Sequence, residues 1–185
     1  MNPAFFIWPS YGLWFGLAIY LIATASSANR DLRTPLLQSL GLTVAIVTAF
    51  LLPRMTLFRF VNFAPINPWI SSLGLAVSFV GLVIFVWGRQ RLGKNWSQGV
   101  SAKHDHELVT SGPYRIVRNP MYSGGILAGI GSAIASGGGF VFLLVFLTAI
   151  FIWRVGAEDR LMQQQFPGEY PAYRKRTKAL IPFVW

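Results

Sequence analysis

Four uncharged runs limit what this chain can become. Asn2–Asn29, Thr34–Pro53, Trp69–Trp87 and Asn119–Trp153 contain no lysine, arginine, aspartate or glutamate. About twenty apolar residues cross the hydrocarbon core of a bilayer, so each of the first three runs predicts one span. The fourth is interrupted by Gly137, Gly138 and Gly139 and predicts a helical hairpin. Its first arm starts near Pro120 and its second ends near Arg154; both are short for a span, which implies tilt, burial or extension past the flanks. Charged residues make up 12% of the sequence, about half the share in a soluble domain, and mean hydropathy is +0.50. The expectation is an all-α integral membrane protein of about five transmembrane helices, forming a single domain over residues 1–185. Residues 1–88 carry three N-terminal spans. Residues 89–185 carry a polar loop, the hairpin and C-terminal amphipathic helices.

The net charge of +10 is distributed unevenly. The second loop holds only Arg54 and Arg59; the other 14 of the 16 lysines and arginines lie in the first loop, the long loop and the tail. Positive charge concentrates on the cytoplasmic side, which predicts an N-terminus outside or in a lumen and a cytoplasmic loop and tail. Every Asp, Glu and His falls on that side, so polar chemistry is expected there. This pattern explains the basicity better than a nucleic-acid partner does. Basic patches facing the membrane also attract anionic headgroups or an anionic cofactor. No lysine or arginine precedes the first run, as a secretory signal requires, so a retained first helix is expected despite Ala23-Thr24-Ala25. The sequence has no cysteine, which excludes disulfides, thiolate metal sites and cysteine nucleophiles.

Gly112 to Tyr122 reads G-P-Y-R-I-V-R-N-P-M-Y, at the border between the long loop and the hairpin. Asparagine favours the N-cap and proline the first helical turn, so Arg118-Asn119-Pro120 can be read simply as a helix start. A helix start also presents unpaired N–H groups and a positive dipole end to a carboxylate or phosphate. Tyr114 and Tyr122 supply faces for a purine or cation, and Arg118 a two-point carboxylate hold.

G-x-Y-x-x-x-R-x-P-x-Y resembles the signature of the isoprenylcysteine carboxyl methyltransferase family, whose C-terminal half is shared with phospholipid N-methyltransferases. The resemblance takes in Leu92-Gly93-x-x-Trp96-Ser97, His106-x-Leu108-Val109 and Gly112 to Tyr122. It resumes with Arg154, Glu158-Asp159-x-x-Leu161, Phe166, Tyr170-x-x-Tyr173 and Ile181-Pro182. It implies S-adenosylmethionine as methyl donor in a cytoplasmic pocket and a lipophilic acceptor drawn from the bilayer. By position, the donor would contact His106, Glu107, Leu108, Val109, Tyr114, Arg118, Asn119, Pro120, Met121, Tyr122 and Glu158. Arg154 matches a substrate-side arginine and, with Glu158, a catalytic role. Asn119 departs from the family's usual histidine. An asparagine has no titratable group but still donates a hydrogen bond and caps a helix.

A carboxylate acceptor is already anionic and needs no general base, whereas an amine or thiol benefits from one. With Asn119 in place of histidine, Glu158, His104 and His106 are the remaining bases. This favours a carboxylate acceptor with Arg154 as counter-ion. The alternatives are a phospholipid N- or thiol S-methyltransferase, a nicotinamide-dependent membrane reductase of the sterol type, and a non-catalytic protein of the same fold. Arg154 four residues before Glu158 also allows a structural ion pair. His104, Asp105, His106 and Glu107 are too tightly spaced for a metal site, so no metal is expected. Gly125-x-x-x-Gly129 predicts close helix packing, or a flat wall that admits a lipid chain. Arg174-Lys175-Arg176-Lys178 reads as a lipid-facing basic patch, and Tyr170, Tyr173, Leu180, Ile181, Phe183 and Trp185 as residues lying back on the membrane face.

Overall fold

A computed structural model of the protein describes residues 4–25, 67–93, 107–138 and 140–184. The uncharged run from Thr34 to Pro53, the histidines His104 and His106, and Trp185 lie outside the described residues. The described elements are helices α1 (Ala4–Ala25), α2 (Pro68–Leu92), α3 (Pro120–Ala135), α4 (Val141–Gln165) and α5 (Tyr170–Arg176), with a 3-10 turn at Gly112–Arg115. They include no strand, only an isolated parallel bridge between Val117 and Lys178.

Local chemistry sets several boundaries. Asn67 caps α2, its side chain accepting from the Trp69 and Ile70 amides at 3.0 and 3.5 Å, and Pro68 takes the first turn. The α3–α4 hairpin turns at Gly137 and Gly138, whose φ angles are +67° and +113°. There the Gly138 amide reaches back to the Ala133 carbonyl at 2.8 Å, the closing bond of a Schellman turn. The second arm does not end near Arg154: α4 runs unbroken to Gln165. Arg154 marks where the surroundings change, not where the helix stops. Ala157, Glu158, Leu161, Met162 and Gln163 are all good helix formers, and the stop comes at Pro167-Gly168.

The tightest contact is between α2 and α3, which run antiparallel with small residues facing each other. A Cβ on Gly81 would lie 2.4 Å from the Ala128 nitrogen, and one on Gly131 2.2 Å from the Ser78 nitrogen. Without a hydrophobic driving force between helices, close backbone approach is what holds them together in lipid. Gly125 and Gly129 face α4 instead, where Phe151 and Leu144 cover them. The stripe is therefore packing surface on both sides, not an open wall for a lipid chain. Helix α1 joins this pair through Tyr11, Trp14, Leu17 and Leu21. The Trp14 indole N–H donates to Ser132 Oγ at 3.0 Å, and that hydroxyl lies 3.0 Å from Ser78 Oγ.

Polarity is inverted relative to a soluble bundle. Ser10, Ser71, Ser78, Ser132 and Ser136 are fully buried, while Phe5, Phe15, Trp69, Leu73, Phe79, Val145, Phe146 and Trp153 face outward. An apolar exterior of this extent marks a membrane-facing surface. Among the described residues one helix, Pro68–Leu92, is long and apolar enough to cross a bilayer by itself, and Phe5–Leu21 is a shorter apolar helix.

Candidate active site

The site is built where the polar ends of α3 and α4 meet the turn before α3 and the C-terminal tail. Gly112 opens the turn with φ of +62°, a conformation that favours glycine. Tyr114 follows with only 6% of its surface exposed. Burial pushes its phenol well above the ordinary tyrosine range, and nearby Tyr173 and Glu158 act in the same direction. Tyr173 supports it from below by donating its hydroxyl to the Tyr114 carbonyl at 2.8 Å.

Asn119 occupies the N-cap position of α3 but makes no side-chain cap; its ψ of 61° departs from the extended backbone usual there. The expected capping role is corrected. Asn119 turns to the tail, donating both its amide N–H and its side-chain Nδ2 to the Ala179 carbonyl, each at 3.1 Å. The neighbouring Arg118 amide donates to Lys178 O at 2.8 Å, and Ser123 Oγ to Leu180 O at 2.6 Å. Residues 177–180 thus lie alongside the start of α3 as a strap. Tyr170, Tyr173 and Leu180, expected on the membrane face, are buried at 3–4% exposure, whereas Ile181 and Phe183 are exposed.

Arg154, Tyr122 and Glu158 form one connected group. The Arg154 Nε donates to the Tyr122 hydroxyl at 2.9 Å, Tyr122 donates to Glu158 Oε1, and Arg154 Nη2 pairs with Glu158 at 3.3 Å. The Tyr122 ring stacks on Phe151 with centroids 4.7 Å apart. Side-chain exposures of 27% and 29% leave both charges accessible. Met121 is half-buried against Gly88 and Pro120 is fully buried, so they shape the floor from beneath. Leu108 and Val109 are half-buried on the approach to the turn, and Glu107 is exposed.

Arg118 is engaged inside the protein. Its guanidinium donates four hydrogen bonds, two to Asp159 and one each to the carbonyls of Arg174 and Thr177. Of an arginine's five N–H donors only one is left, too few for a two-point carboxylate hold. Asp159 also accepts from the Tyr170 hydroxyl and pairs with Arg174 at 3.5 Å. Asp159 stands in the sequence only as part of the Glu158-Asp159 block, with no role of its own, and Thr177, Ala179 and Arg89 carry no local signal. Asp159 was visible as one of only two acids between Arg154 and Gln165. Arg89 read as the start of a loop, yet it is 5% exposed and donates to Thr24 O at 3.1 Å, tying α2 to the end of α1.

Comparison with known proteins places this geometry in context. Protein-S-isoprenylcysteine O-methyltransferase B of Arabidopsis thaliana is 27% identical over 120 residues, covering 63% of this chain and 61% of that protein. A probable protein-S-isoprenylcysteine O-methyltransferase of Oryza sativa subsp. indica is 24% identical over 165 residues, covering 87% and 82%. The solved structure of the eukaryotic intramembrane Ras methyltransferase ICMT superposes with a TM-score of 0.76 at 22% identity, covering all of this chain and 69% of that one. The shared fold and the apolar exterior are those of an integral membrane protein. The sequence model for phospholipid methyltransferases matches residues 69–169, from the start of α2 to the approach of α5. With over half its length matched in this way, the chain belongs to the phospholipid methyltransferase family.

Proposed function

We propose that the protein transfers a methyl group from S-adenosylmethionine to the carboxylate of a lipophilic, isoprenylcysteine-type acid at the cytoplasmic face of a membrane. The observation that carries this reading is the accessible Arg154–Tyr122–Glu158 group, set where α4 passes from its apolar to its polar half. The names of the relatives favour the same acceptor.

The residues present fit such a donor. Its sulfonium and α-ammonium groups carry positive charge, and Glu158 offers an accessible carboxylate hydrogen-bonded to Tyr122. His106, Glu107, Leu108, Val109, Asn119 and Met121 would complete the holding surface, with Pro120 buried beneath it. When bound, the donor supplies a methyl group activated on sulfur. Arg154 holds the acceptor carboxylate by charge-assisted hydrogen bonds, and Tyr122 fixes the guanidinium by accepting from its Nε. The carboxylate is ionised at neutral pH, so no protein base has to remove a proton. What remains for the protein is alignment and exclusion of water, which the exposed apolar faces of α3 and α4 support by seating the site against lipid. Five spans with a cytoplasmic site and tail accommodate the positive-charge distribution.

Titration of the purified full-length protein with S-adenosylmethionine, S-adenosylhomocysteine and NADPH tests the donor. Binding of the first two and not the third is expected. Binding of NADPH alone would establish a reductase, and binding of none a non-catalytic member of the fold.

A further inference from the structure

We infer that Asp159 is a positioning residue that shapes the donor site through the C-terminal strap, without itself touching donor or acceptor. Asp159 and Glu158 are adjacent on α4, and helical geometry turns neighbouring side chains about 100° apart. Glu158 points to Tyr122 and Arg154; Asp159 points away, to Arg118, Tyr170 and Arg174. Its carboxylate is 15% exposed and the Arg118 side chain 10%. The pair is two-pronged, Nε to Oδ1 at 3.3 Å and Nη2 to Oδ2 at 3.2 Å. The other arm of the same guanidinium holds the carbonyls of Arg174 and Thr177, where α5 ends and the strap begins.

The strap then reaches the site itself. Its Lys178, Ala179 and Leu180 carbonyls accept from Arg118, Asn119 and Ser123 at the head of α3. Ala179 and Leu180 pack with Val155, and Tyr122 and Ile126 lie against that cluster. Asp159 therefore fixes Arg118, Arg118 fixes the strap, and the strap backs the Tyr122 ring and the amides that begin α3. Removing the carboxylate charge loosens this wall, while the stack on Phe151 holds the Tyr122 ring from α4 and keeps its hydroxyl on Arg154 and Glu158. The inference rests on the proposed donor site, and it assigns donor affinity to a segment that lies outside the reacting group.

The test compares wild type, Asp159→Asn, Arg118→Gln, the double variant and the milder Tyr170→Phe in full-length protein. Methyl transfer to a prenylcysteine acid is assayed at varied S-adenosylmethionine, alongside thermal unfolding and hydrogen exchange over residues 177–180. For Asp159→Asn, donor KM should rise about tenfold, the equivalent of one charge-assisted hydrogen bond. Its kcat at saturating donor and its acceptor KM should stay within about twofold. Exchange over the strap should speed up, Tyr170→Phe should shift the same quantities less, and the double variant should be no worse than the poorer single one. A lowered unfolding temperature with unchanged donor KM would overturn the inference by showing a purely structural pair. A loss of kcat with unchanged donor KM would overturn it by placing Asp159 at the reacting atoms. Should Asp159→Asn not fold, Tyr170→Phe decides by the same criteria. If wild type binds no donor, the functional reading fails; slower or unchanged strap exchange in Asp159→Asn would separately refute the clamp.

Discussion

The Arg154 guanidinium donates its Nε–H to the Tyr122 hydroxyl at 2.9 Å, and the same hydroxyl donates onward to Glu158. One phenol thus sets the orientation of both charged groups, and its ring is held by stacking on Phe151. Tyr122→Phe keeps the stack and removes the link. A hydrogen bond to a charged group contributes about 1.5–3 kcal/mol, so kcat/KM for methyl transfer should fall by about 10- to 100-fold. The unfolding temperature should move little. Steady-state kinetics beside a thermal melt separate the two effects; an unchanged kcat/KM would mean that Arg154 is oriented by Glu158 alone.

Asn119→His should keep donor binding. The side chain makes one bond, from Nδ2 to Ala179 O, and a ring N–H can donate the same one. Asn119→Leu has no donor and should weaken binding by severalfold, since one ordinary hydrogen bond is worth about 1 kcal/mol. Calorimetric titration with S-adenosylhomocysteine decides; loss of binding in the histidine variant, with binding kept in leucine, would reverse the assignment.

The α2–α3 contact leaves no room for a methyl group. Gly131→Ala places a Cβ 2.2 Å from the Ser78 backbone nitrogen, and backbone can yield only by moving the helices apart. Overpacking of this kind costs about 1–3 kcal/mol or more. Gly12→Ala in α1, with nothing within 4 Å of the new Cβ, is the matched control and should be neutral or mildly stabilising. Detergent-resistance melts of the two variants compare them directly, and equal stability would contradict the close approach.

Alkaline stability should track Tyr173. Burial pushes its phenol up to about 12, with the Thr177 hydrogen bond pulling slightly the other way. Because the folded pKa exceeds the ordinary value of about 10, the protonated phenol contributes its full stability below that pH. The contribution declines as pH climbs toward 12. Melting temperatures between pH 8 and 11 should therefore fall above about pH 10, and Tyr173→Phe should flatten that fall. Burial raises the phenols of Tyr114 and Tyr170 as well, so a residual slope is expected in the variant.

Helices α1 and α2 and the α3–α4 hairpin were legible in the sequence, because uncharged runs and a glycine triplet each carry a local physical meaning; the Asn67-Pro68 cap was not read from it. Polarity is a poor guide to the end of α4. At Arg154 the chain changes environment while its backbone hydrogen bonds continue to Gln165. The motif from Gly112 to Tyr122 marks where α3 begins, but not which of its side chains are engaged by the tail. Arg118 looked like a ligand for a carboxylate and is engaged with Asp159 and the tail. Asn119 looked like a cap and is turned to Ala179. Both depend on residues 41 to 60 positions away, and no local pattern announces that the tail returns to the head of α3.

The most direct measurement is transfer of tritiated methyl from S-adenosylmethionine by the full-length protein in nanodiscs, offered a prenylcysteine acid or phosphatidylethanolamine. Arg154→Gln, which keeps the side chain's polarity without its charge, is run in parallel. The account predicts a base-labile methyl ester on the acid, no label on the amine lipid, and at least about a tenfold loss of transfer in Arg154→Gln, as expected for a charge-assisted contact. Base-stable label on the amine lipid, or undiminished transfer in Arg154→Gln, would contradict it.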